Sequence, residues 1–112
     1  MATDKDMLEY ILEQINDAGE IRYLKMFGEY TIYSDDKIFA LVSDNKLFIK
    51  PTSAGREFIK NVTEAPPYPG AKNYFLIGEE LEDSEWLSEL VRITVAELPV
   101  PKPKKKKKVK PI

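Results

Sequence analysis

Neither cysteine nor histidine occurs anywhere in this chain of 112 residues. Without cysteine there is no disulfide framework, no thiol nucleophile and no thiolate metal site. Without histidine the commonest general base is gone, with the usual partner of a catalytic serine and the commonest transition-metal ligand. Glycine is scarce as well. Its five residues, at 19, 28, 55, 70 and 78, never come close enough for a Gly-x-Gly-x-x-Gly turn or a Walker-type phosphate cradle. No stretch approaches the ~18 apolar residues of a membrane span. The charged opening Met1-Ala2-Thr3-Asp4-Lys5-Asp6 does not read as a signal peptide. Hydrolases, metalloenzymes and cofactor-dependent enzymes such as methyltransferases all lose support. The expectation is a cytoplasmic, non-enzymatic protein with no catalytic, cofactor-binding or metal site and no membrane contact.

Apolar residues make up 43% of the chain and aromatics 11%, the balance of one ordinary globular domain. Charge is distributed unevenly. Seven of the 17 basic residues (Lys102, Lys104, Lys105, Lys106, Lys107, Lys108 and Lys110) fall after Leu98, where no acid occurs. The ten that remain face all 19 acids, so residues 1–98 carry −9 and residues 99–112 carry +7. We divide the chain accordingly into a domain, 1–98, and a disordered Lys/Pro-rich tail, 99–112.

Thr3 followed by Asp6 reads as a capping box. Met7, Leu8, Ile11, Leu12 and Ile15 then paint one face of a helix, with Gly19 as its left-handed stop. The segment 21–27 is rich in strand formers. Tyr30 and Ile32, then Phe39 and Leu41, alternate around a turn at Ser34-Asp35-Asp36-Lys37. A second turn at Asp44-Asn45-Lys46 leads to Leu47, Phe48 and Ile49. Such short connections require antiparallel neighbours. Ser53 is a candidate cap for a short helix that buries Phe58 and Ile59. Three prolines make 65–70 a loop, residues 73–77 a further strand, and Asp83 the cap of a last helix. Leu87, Leu90, Val91, Thr94, Val95 and Leu98 form the apolar stripe of that helix, which Pro99 stops. Leu12 and Leu90 sit mid-stripe and are expected to be fully buried. The fold class is α+β: a two-layer sandwich of a four- or five-stranded antiparallel sheet with helices on one face, in the order α-β-β-β(-β)-α-β-α.

Met26-Phe27-Gly28, Tyr33-x-Asp35-x-Lys37, Phe39-Ala40-Leu41-Val42, Asp44 and Leu47-Phe48-Ile49-Lys50 resemble the core of the TfoX N-terminal domain family. The likeness continues through Pro67-Tyr68, Tyr74-Phe75, Glu79-Glu80 and Leu81-Glu82-Asp83, covering about residues 5–98. Two positions depart from the pattern: Glu29 stands where a second small residue is usual, and Ser84 where a proline often follows the capping Asp. The resemblance implies a fold akin to secretion-chaperone-like sandwiches. It also implies a role in turning on competence genes, which full-length members perform with the cyclic-AMP receptor protein. Those members carry a helical C-terminal domain; here the lysine tail stands in its place.

Several features carry weaker signals. Met26-Phe27-Gly28 is read as a buried strand end with a bend, and Asp35, Asp36 and Asp44 as turn residues rather than a cation site. The tyrosines and phenylalanines are many for so small a sheet. A base-stacking platform needs basic surroundings, so core and protein-interface use fits a domain at −9 better. The leading function is a non-enzymatic regulatory or protein-interaction domain whose partner is another protein or a second copy. The alternative is a nucleic-acid-associated protein that grips phosphates through the tail lysines.

Overall fold

The computed structural model describes residues 3–26 and 29–98. Its elements run α1 (Lys5–Ile15), β1 (Ile21–Met26), β2 (Glu29–Ser34), β3 (Lys37–Ser43), β4 (Lys46–Ile49), α2 (Ser53–Ile59), β5 (Glu64–Ala65), β6 (Tyr74–Ile77), a 3₁₀ turn (Glu79–Glu82) and α3 (Ser84–Glu97). The six strands form one antiparallel sheet in the spatial order β1-β2-β3-β4-β6-β5. The α+β class and the antiparallel sheet agree with the sequence reading. The sheet has one strand more than expected, because Glu64 and Ala65 pair with Phe75 and Tyr74. Two residues leave no periodicity to read, and Ala65 falls in the segment 65–70 whose prolines read as loop.

The registers sort the side chains into two faces. Tyr30, Val42, Leu47 and Ile77 lie opposite one another across four strands, as do Ile32, Ala40, Ile49 and Phe75. All eight are buried, in one cluster with Leu8, Ile11 and Ile15 of α1 and Leu87, Leu90 and Val91 of α3. The helices therefore cover one face only. A bulge between Ile32 and Tyr33 corrects one expectation. Ala40 and Val42, not Phe39 and Leu41, share the core face with Tyr30 and Ile32. Phe39 is the extra residue at the bulge and is turned into the core cluster, where it is fully buried. Leu41 remains on the opposite face, half-buried.

Both expected hairpin turns form. Asp35 and Asp36 take φ of 50° and 70°, Asp44 and Asn45 53° and 59°. Positive φ at both central residues is the type I′ arrangement that matches strand twist. These acids are thus accounted for by backbone geometry.

The caps differ in part from expectation. The N-cap of α1 is Asp4, with no side-chain cap bond. The Thr3 hydroxyl instead donates to Glu29 Oε1 (2.5 Å) and accepts from Asn45 N–H (3.2 Å), tying the start of the helix to β2 and the β3–β4 turn. Gly19 does take positive φ, +117°, but it sits beyond the helix end at Ile15, in the turn into β1. There a Cβ would lie 2.5 Å from Ser34 Oγ. Thr52, not Ser53, caps α2, its hydroxyl accepting from Gly55 N–H at 2.9 Å. Asp83 caps α3 as expected, accepting from Trp86 N–H at 3.1 Å.

Candidate functional site

Because the helices occupy one face, the other is free to work. By register it carries Leu24, Thr31, Tyr33, Ile38, Leu41, Phe48, Leu76 and Tyr74, with Arg22 beside Tyr33 at the β1 edge. This is an apolar and aromatic surface on the side where an antiparallel sheet usually presents polar residues to water. Phe48 is buried on this side, outside the helix-side cluster, and Pro67 is buried in the loop that follows β5. That loop stands up from the sheet and makes one wall of a groove of about 990 Å³. Pro66, Pro67, Tyr68 and Pro69 form the wall, Tyr33, Ile38, Leu41 and Thr31 the floor, and Tyr74 the angle between them.

The groove is polarised. Glu29 and Asp44 line one end, where Glu29 Oε1 accepts from Asp44 N–H at 3.3 Å and Asp44 pairs with Lys46 at 3.3 Å. Glu29 therefore ties three segments together at this end. Lys50 lines the groove too; its neighbour Ile49 lies opposite Ala40, and its N–H donates to Phe39 O (2.8 Å), which places it toward the end defined by Tyr33 and Ile38. Tyr74 ionises less readily than an ordinary tyrosine, because burial disfavours the phenolate and the neighbouring Tyr68 adds repulsion. Tyr68 is 58% exposed and Ile38 37%, so both can contact an incoming molecule without rearrangement of the core.

Among the described residues no group of three or more acidic side chains is placed to hold a metal ion. Nor is any helix there long and apolar enough to cross a membrane. A smaller pocket of about 240 Å³ beside Ile59, Phe75 and Glu80 has Asn61, Thr63, Glu79 and Glu80 as its polar side chains and no basic one. The seven tail lysines, and Phe27 and Gly28 of the Met26-Phe27-Gly28 motif, lie outside the described residues. The groove itself was missed by sequence reasoning. The aromatic surplus signalled an interface, but nothing in the order of residues placed the proline loop beside Tyr33 and Ile38.

Comparison with known proteins adds a family. The TfoX N-terminal domain model matches residues 13–98. A curated relative, an uncharacterized 12.7 kDa protein in the trpE 5′ region of Spirochaeta aurantia, is 40% identical over 99 residues, covering 88% of this chain and 86% of the relative.

Proposed function

The chain belongs to the TfoX N-terminal domain family, and from that premise we propose that it is a non-enzymatic regulatory domain that binds an extended segment of a partner protein along the open face of its sheet. One observation carries the reading: the helix-free face bears an aromatic groove with a proline wall instead of a polar, solvated surface. The groove follows β3 from Ile38 and ends at Asp44 in the turn beyond it, roughly 20 Å at ~3.3 Å per residue, which suits about six residues of extended chain. Tyrosines and prolines offer flat, rigid faces to apolar or proline side chains of such a segment. A nucleic-acid strand would meet Glu29 and Asp44 at one end of the groove and a single lysine, Lys50, in its lining. The domain charge also opposes it. Control of competence genes is the setting that the family resemblance implies for the complex.

The test is selection from a phage-displayed library of random peptides against the intact protein, followed by affinity measurement on purified variants. Enriched peptides should be rich in apolar, aromatic or proline residues. They should bind Ile38→Lys and Tyr68→Ala at least tenfold more weakly, with unfolding temperatures unchanged. Failure to enrich any sequence, or binding indifferent to both substitutions, overturns the reading. The alternative, nucleic-acid association through the tail, rests on the seven lysines of residues 99–112. It predicts duplex DNA binding that disappears on removal of residues 99–112.

A further inference from the structure

β1 is an edge strand of six residues with nothing described beyond it, whereas the opposite edge, β5, has only two. A long exposed edge is a template for another strand unless it is blocked. Its free backbone groups can be assigned. Asp35 N–H donates to Glu20 O at 3.0 Å, so in the β1–β2 ladder Glu20, Arg22 and Leu24 turn their N–H and C=O toward β2. Ile21, Tyr23 and Lys25 must then turn theirs outward. Tyr23 and Leu24 are 47% and 49% exposed, large for apolar side chains at the middle of a strand.

We propose that this chain forms a two-fold dimer in which β1 pairs antiparallel with β1 of a second copy, centred on Tyr23, to make one continuous sheet. The register follows from the residues. A two-fold axis normal to the sheet keeps each face continuous, so facing residues must share a face. Centring on Tyr23 sets Tyr23 against itself and Ile21 against Lys25, and every outward N–H and C=O of both strands is paired. Arg22 then faces Leu24 of the other copy. A shift one way sets Arg22 against Arg22; the other way, centring on Leu24, leaves Ile21 outside the paired strand, and a further step sets Lys25 against Lys25. Like charges directly opposite are unfavourable, so the two cations guard the edge against the wrong registers while permitting this one. Arg22 is already held on its face, paired with Asp36 and stacked over the Tyr33 ring at 5.7 Å. Tyr23 is steadied by an edge-on contact with Tyr30 at 5.7 Å. The groove lies on β2, β3 and the proline loop, so pairing at β1 leaves it open.

Sedimentation of the full chain, 12.9 kDa per copy, reads the proposal. The protein should sediment at twice that mass at high concentration. Leu24→Glu, which sets a carboxylate opposite Arg22 of each partner, should tighten the dimer, and Leu24→Lys should loosen it, each by roughly two- to thirtyfold. Position 24 is exposed, so both variants should keep the wild-type circular dichroism. A monomer at the highest soluble concentration overturns the proposal. Weakening by Leu24→Glu overturns the register, since centring on Leu24 would bring the two carboxylates together. A dimer that ignores both substitutions overturns the edge as the interface.

Discussion

Leu12 and Leu90 belong to the same pattern of apolar spacing but not to the same environment. Leu90 is fully buried between α3 and the sheet, whereas Leu12 is half-buried at the margin of the cluster. Helical periodicity identifies a face; only the packing shows where the face runs out. Leu90→Ala should therefore cost about 2–5 kcal/mol, a transfer loss plus a cavity. Leu12→Ala should cost nearer 1 kcal/mol, since solvent already reaches the site. Denaturant titration of the two variants measures the difference. Thr94 makes the opposite case. It is fully buried on the apolar stripe of α3, and its hydroxyl has no hydrogen-bond partner among the described residues. A buried hydroxyl without a partner loses its hydration for nothing, and valine keeps the shape. Thr94→Val should raise stability by about 1 kcal/mol, visible as an increase in the midpoint of chemical unfolding.

At the scale of elements, local chemistry starts most helices and strands, but contacts far along the chain finish them. The β2–β3 and β3–β4 turns take their left-handed backbone at Asp35, Asp36, Asp44 and Asn45, residue types that tolerate it. The short α2 depends on more than its Thr52 cap. Glu97, at the last turn of α3, accepts from Ser53 N–H at 3.0 Å and Ala54 N–H at 2.9 Å. A carboxylate there satisfies amides that a helix N-terminus leaves without partners. Those bonds, Ala54 first and then Ser53, hold the Glu97 carboxyl below its ordinary pKa of 4.5. The sign follows from linkage: a depressed folded-state pKa gives stability that is present above 4.5 and is lost as the pH falls through the folded value. The stability difference between the wild type and Glu97→Gln should be largest near neutrality and shrink below pH 4.5. Unfolding measured across that range, with amide exchange at Ser53 and Ala54, checks it. Lys37 makes a similar long-range contact, donating to the carbonyls of Val95 and Leu98 at 3.0 Å each, which fixes the end of α3 beside the β2–β3 turn.

Taken whole, the molecule joins a folded part at −9 to a segment at +7. Seven lysines neutralise at most seven phosphates, so duplex DNA binding through residues 99–112 should show a log K against log salt slope no steeper than about −6. The acidic domain opposes the approach, and the isolated tail peptide should bind more tightly than the intact chain. No preference among duplex sequences is expected, because lysines on phosphates do not read bases. Filter binding across a salt series, with the peptide and the full chain side by side, measures both. An affinity for one duplex tens of times above its scrambled counterpart, retained without the tail, would assign nucleic-acid recognition to the domain and displace the protein-binding proposal.

The order of elements, the antiparallel pairing and the two hairpin turns were legible in the residues, because periodicity, turn chemistry and loop length act over a few positions. The capping Asp83 belongs with them, and so does the identity of the family, carried by many modest positions in fixed order. The alternation of β3 was not legible. One bulge at Phe39 exchanges which residues face the helices, and a bulge depends on the neighbouring strand. Thr3 reads as a cap but bonds to Glu29 and Asn45, 26 and 42 residues away. The groove depends on the same kind of distance: Tyr33 and Ile38 become a floor only when a loop more than 25 residues later stands over them. Patterns within a strand or helix are set by neighbours along the chain. Which face stays open, and what stands beside it, is set by strand register and sheet order, which no local pattern contains.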